Sequence, residues 1–230
     1  MIDVYYTNEM ARHYPLLDIK PYPLLNDVDI SDFGHYSKCP ASKNIISKLF
    51  VVKSPIDVEY ELLDNDNIFG VPAAPDYVRE IIDGPVEKTK NNNYLVQLTV
   101  IDMLMQSKES LDVSILPPFL HDNIFKNHKF LTAQFDISQW FRPMHPALML
   151  RDKKPIRISR GQVLCYIMFN TDEKINLISY NLTQKIESLA KDCLMVTIYT
   201  PKKNLKYRYD LFEEKKYNSE ILDEIKENLA

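Results

Sequence analysis

Residues 135–170, FDISQWFRPMHPALMLRDKKPIRISRGQVLCYIMFN, constrain the fold more than any other stretch of the chain. The stretch opens at the end of an apolar run, 129–137, and crosses an aromatic segment broken by Pro143 and Pro146. It continues through the runs 147–150, 156–158 and 163–169, with a basic turn between the last two. Runs this short have the length of strands, and proline interrupts them because it fixes φ and removes a ladder donor. A chain punctuated in this way folds as a packed, β-rich domain.

The rest of the sequence supports that class. Ile56, Val58, Tyr60 and Leu62 alternate with Asp57, Glu59 and Glu61, the period of a half-buried antiparallel strand. Further strands are expected at 2–6, 50–52, 94–105 and 111–116, the last two joined as a hairpin through 106–110. Pro15, Pro21 and Pro23 point to an extended arm reaching to about residue 33. A helix is expected over 41–49 with Ser42 as its N-cap, and another over 76–83, stopped by Gly84 and Pro85. Beyond residue 170 the character changes. Residues 182–193 carry Ile186, Leu189 and Ala190 at helical spacing, 194–199 read as one more strand, and 219–229 present Ile221, Leu222, Ile225 and Leu229 on one stripe. The expectation is an α+β, β-rich fold: an antiparallel β-sandwich or jelly-roll-like core over 1–170 with an N-terminal extended arm and peripheral helices. Residues 171–230 then form an α-rich, helical C-terminal extension packed on that core.

Scarcity of glycine narrows the chemistry. Only Gly34, Gly70, Gly84 and Gly161 occur in 230 residues, which leaves no GxGxxG, no GxxxxGK[ST] and no GxSxG. Loops that cradle phosphates need several glycines so that backbone amides can approach the ligand. Rossmann, P-loop and nucleophile-elbow enzymes are therefore excluded. A net charge of −4 argues against general nucleic-acid or anionic-membrane binding. No run approaches the ~20 apolar residues of a membrane span, and MIDVYYTNEM lacks the pattern of a signal peptide. Cys39, Cys165 and Cys193 are odd in number, widely spaced and without a CxxC pair, as expected of reduced thiols in a cytoplasm.

Few side chains are grouped for chemistry. His13, His35, His121, His128 and His145 include no HxH or HxD, so no metal site is expected. Cys165 sits in an apolar run and reads as an inert core thiol, whereas Cys39, following His35 and Lys38, has the one setting that favours a thiolate. The segment Trp140, Phe141, Arg142, Pro143, Met144, His145, Pro146 has two readings. It is either a binding surface, since tryptophan and arginine anchor interfaces, or a structural crossing in which Trp140 plugs the core. Lys153, Lys154, Arg157 and Arg160 make a cationic strip, either an anion contact or a strand edge guarded by charge.

Four motifs, KCPA at 38–41, FVVKSP at 50–55, FDISQWFRP at 135–143 and KPIRISRG at 154–161, resemble an uncharacterised protein family of T4-like, marine and cyanobacterial tailed bacteriophages. In that family KCPA precedes a VIKSP strand, and FDISKWIRP precedes KPIKIKRGDPL. The resemblance runs to about residue 171 and implies no established activity. Where the family often has Gly-Asp-Pro, this chain has Gly161, Gln162 and Val163. Residues 158–169 are also similar to the closing strand pair of dUTPase- and dCTP-deaminase-like folds, without the Ser-rich phosphate motif or hairpin Asp those enzymes need. The expected function is a phage-encoded accessory or assembly protein in the host cytoplasm or the virion. It would bind a phage or host protein, or a further copy of itself, through Trp140, Phe141, Arg142, Arg157 and Arg160, with no catalysis and no cofactor. The alternative is a small-ligand or nucleotide-binding β-fold enzyme with a dUTPase-like or cupin-like pocket.

Overall fold

The computed structural model describes residues 1–8, 19–29, 34–35, 38–121, 124–200 and 202–230. His13 and most of the expected N-terminal arm lie outside the described residues. Strands outnumber helices, and four sheets with mainly antiparallel pairing give a β-rich α+β fold.

The central sheet is built on the apolar run of the opening motif. That run forms β15 (Val163–Phe169), flanked by β10 (Asp112–Leu116) and β3 (Leu49–Lys53), all antiparallel. β12 (Ala133–Asp136) and β2 (Tyr22–Pro23) close the two edges. The run lacks alternation because both of its faces are covered. Leu164, Cys165, Ile167 and Phe169 join the main core, while Val163 and Tyr166 pack with Leu24, Ile46, Leu49 and Val51 on the other side.

A second sheet carries the C-terminal helices. β1 (Ile2–Asn8) lies between β9 (Met103–Ser107), antiparallel, and β16 (Ile175–Ser179), parallel. Side chains alternate across these strands. Val4, Tyr6, Met103, Met105 and Leu177 point into the main core, whereas Tyr5, Leu104 and Ile178 meet the helices. The helices are α3 (Gln184–Tyr199), α4 (Leu205–Glu214) and α5 (Tyr217–Glu227), and they bury Ile186, Leu189, Phe212, Ile221 and Ile225 there. Thr183 and Asn204 cap α3 and α4 by accepting the Ile186 and Tyr207 amides at 3.2 and 3.0 Å.

Two four-stranded sheets complete the fold. One orders β11 (Lys129–Leu131), β13 (Ala147–Leu150), β8 (Tyr94–Gln97) and β7 (Glu87–Lys88). The other orders β14 (Ile156–Ile158), β4 (Val58–Leu63), β5 (Ile68–Gly70) and β6 (Gly84–Pro85). Two short helices, α1 (Pro40–Ile46) and α2 (Asp76–Ile82), fall where helices are expected, but α1 starts with Pro40 at its first turn and has Cys39, not Ser42, as N-cap.

Several expectations need correction. Residues 94–105 are two strands: the Leu98 amide bonds the Pro146 carbonyl as the last step of the β8–β13 ladder, and the chain then turns, with the Ile101 amide bonding back to Leu98. The hairpin through 106–110 does not form: β9 pairs with β1 and β10 with β12 and β15, in different sheets. Run 129–137 splits likewise into β11 and β12. Residues 194–199 continue α3, and the region beyond 170 contributes a strand, β16, to the sheet of β1. Backbone propensity is weak for such segments, and the sheet or helix that covers them decides.

Candidate binding site

The segment that carries Trp140 is held by a buried carboxylate. Asp136, 5% exposed, ends β12 and accepts five hydrogen bonds. Its Oδ1 takes the Leu111 amide at 3.2 Å and the Ser138 amide and hydroxyl at 2.8 and 2.7 Å; its Oδ2 takes Ser110 Oγ at 2.5 Å and Gln139 Nε2 at 3.1 Å. Burial alone would push this carboxyl up, but the bonds from Ser110, Ser138 and Leu111 together hold it below the ordinary carboxylate range. This is the physical content of the FDIS motif: aspartate followed two residues later by serine forms a local turn. Tyr209 of α4 adds a bond, the Asp136 amide donating to its hydroxyl at 2.8 Å.

After that turn the chain passes under the C-terminal helices. Trp140 and Phe141 are 3% and 0% exposed and pack with Leu104, Ile186, Cys193 and Phe212. Of the two readings of this segment, the structural crossing with Trp140 in the core is the one found, and the placing of Trp140 and Phe141 on a binding surface is corrected: their apolar area is used to dock the helices. Arg142 and Pro143 then emerge. Met144 forms an isolated bridge to Met103, and His145 Nε2 lies 2.8 Å from Oδ1 of the buried Asp102.

Two clefts of about 540 Å³ each lie on either side of Pro143 and His145. The first is walled by Ile115, Phe135, Trp140 and Met144, with Leu205 and Arg208 of α4 opposite. Arg142 and Arg208 both line it. Arg142 is half-buried, and its burial, followed by the charge of Arg208, lowers its proton affinity. Among the described residues neither guanidinium has a carboxylate within ion-pair distance. Arg208 Nη2 reaches only the Thr200 carbonyl, at 3.5 Å, and its Nε is buried without a partner. The second cleft runs along α3, past Leu182, Ala190 and Leu194, with the ion pair of Glu187 and Lys191 at its side.

The other expected residues lie elsewhere. Arg157 is on the edge strand β14, exposed, 3.0 Å from Glu59 Oε2. Arg160 is exposed in the turn that follows, and its amide donates to Asp57. Neither lines the cleft of Arg142. Lys153 pairs with Asp66 at 2.6 Å, so two of the strip's four cations, Lys153 and Arg157, are paired with neighbouring carboxylates. Cys165 is 2% exposed in the core and its thiol is pushed up by burial, whereas Cys39 is exposed with its thiol lowered by the backbone and side chain of Ser42.

Sequence reasoning missed Arg208 and Asp102. Arg208 shares a helical stripe with Leu205, Tyr209 and Phe212, a spacing that marks a buried face. Asp102 is the lone acid in an apolar run from Leu98 to Met105. It also missed a second polar cluster. Tyr166 Oη lies 2.5 Å from His121 Nδ1, His121 Nε2 lies 2.8 Å from Asp27 Oδ2, and Asp27 Oδ1 accepts from Lys53 and Tyr22 at 2.7 and 2.9 Å. Among the described residues no group of three or more His, Cys, Asp or Glu side chains could hold a metal ion, and no helix is long and apolar enough to cross a membrane. No protein-family model, curated protein or solved structure matches the chain.

Proposed function

We propose that this protein acts by binding: an accessory or assembly factor, of the phage family its motifs resemble, that docks another protein where α3 and α4 meet the cationic cleft. The observation that carries this reading is the run of exposed apolar side chains along the end of α3 and the start of α4. Of the ten large apolar residues exposed among the described residues, Leu194, Met195, Tyr199, Leu205 and Tyr207 fall within one short stretch. Leu205 and Leu194 each line one of the two clefts. Exposed apolar patches of this kind mark interaction sites, and arginines without carboxylate partners in the cleft that Leu205 borders favour a partner with a complementary acidic group. The partner is thus a polypeptide offering acidic and apolar residues together, in the host cytoplasm or the virion.

Affinity purification from infected cells, run in parallel with the wild-type chain and the double variant Met195→Glu, Leu205→Glu, tests this. A protein retained by the wild type and lost from a folded double variant supports the reading. Equal retention by both sinks it.

A further inference from the structure

We infer that Arg142 and Arg208 form a carboxylate-binding site, taking an organic anion whose charged end sits between the two guanidiniums and whose apolar body lies on Phe135, Pro143 and Leu205. The inference rests on the reading of this corner as a binding face and names the group that is gripped there.

Two like charges at one cleft are held by the fold. Trp140 and Phe141 fix Arg142 from one side by packing under α3 and α4, and Phe212 fixes α4 and hence Arg208 from the other. Each guanidinium has five donors in a planar fork suited to bidentate contact with an oxyanion. The protein satisfies few of them: one bond from Arg208 to a carbonyl at 3.5 Å, and a buried Nε with no acceptor. Buried donors without partners are uncommon in folded proteins, and where the two guanidiniums line the cleft the protein likewise gives them few acceptors of its own. A bound carboxylate supplies those acceptors and screens the mutual repulsion of the two cations.

The walls favour a carboxylate over a phosphate. Ile115, Phe135, Trp140, Pro143, Met144 and Leu205 make most of the lining, and the flanking histidine, His145, is bonded to Asp102 through Nε2. Guanidinium forks grip phosphate as well as carboxylate, so it is the apolar remainder of the lining that selects a compact, singly charged anion over a doubly charged one. A planar carboxylate on an apolar body uses both parts of the lining.

The only tryptophan in the chain lines this cleft, so its fluorescence reports occupancy directly. The probes are 3-phenylpropionate, the corresponding amide 3-phenylpropionamide, phenyl phosphate and inorganic phosphate, each titrated into the full chain. The expected result is saturable change in Trp140 emission with the acid, binding at least about tenfold weaker for the amide, and loss of about tenfold in affinity for Arg142→Met and for Arg208→Met. Equal binding of acid and amide overturns the site, and this comparison needs no variant to fold. Tighter binding of either phosphate overturns the assignment to a carboxylate. Failure of every probe overturns the inference while a partner lost on the Met195→Glu, Leu205→Glu change leaves the docking reading standing. Binding of the acid with no such partner does the reverse.

Discussion

Replacing Asp136 by asparagine and by alanine measures how firmly the Trp140 segment is held. Asparagine keeps an acceptor at Oδ1 for the Leu111 and Ser138 donors but puts an NH₂ against Ser110 Oγ and Gln139 Nε2. It loses two charge-assisted bonds, about 2 kcal/mol after exchange with water. Alanine also strands the Leu111 and Ser138 amides in the interior, raising the loss to about 3–5 kcal/mol. For a chain of this size each kcal/mol lowers Tm by about 2–4 °C. Asp136 binds its proton less readily folded than unfolded. Its contribution is therefore present above the unfolded carboxyl value of about 3.9 and is lost as pH falls through the lower folded value. Urea unfolding of the three proteins at pH 7 and near pH 3.5 is the assay. Wild type should lead asparagine, asparagine should lead alanine, and the gap between wild type and asparagine should narrow on acidification. Equal stabilities of wild type and asparagine at pH 7, or a gap indifferent to pH, would refute the account of this carboxylate.

Trp140→Ala should cost about 3–5 kcal/mol in denaturant unfolding, as expected for an aromatic buried against helices; a loss below about 1 kcal/mol would show that α3 to α5 do not depend on it. Arg208→Met keeps an apolar stem and removes one of two like charges, so the unliganded protein should gain about 1 kcal/mol and melt a few degrees higher. An unchanged or lower Tm would count against repulsion in the cleft. In native protein a thiol reagent should label Cys39 alone, and unfolding should release Cys165 and Cys193 as well; rapid labelling of a second thiol in the folded state would contradict their burial.

How much of the site was legible depended on whether its partners are close in sequence. The edge position of Arg157 and the core role of Cys165 follow from local spacing, and both are found; the turn of Asp136 and Ser138 is equally local but was hidden inside the apolar run 129–137. Arg208 lies 66 residues from Arg142, and nothing local to either announces the other. The same holds for the hairpin expected at 106–110: its two strands are adjacent in sequence, yet β9 gains more by completing the sheet of β1.

The sequence by itself determined a β-rich α+β chain without glycine loops for phosphate, a buried apolar strand at 163–169 and amphipathic helices at its end. These follow from residue period, proline placement and side-chain volume, which act over a few residues. Tertiary structure decided between the two readings of the Trp140 segment, turning Trp140 and Phe141 inward while Arg142 faces a cleft. The alternation of β1, β9 and β16 leaves one sheet face apolar, and the C-terminal helices had to cover it. In doing so they buried the aromatic pair and brought Arg208 to the one arginine of the motif left at the surface of that cleft.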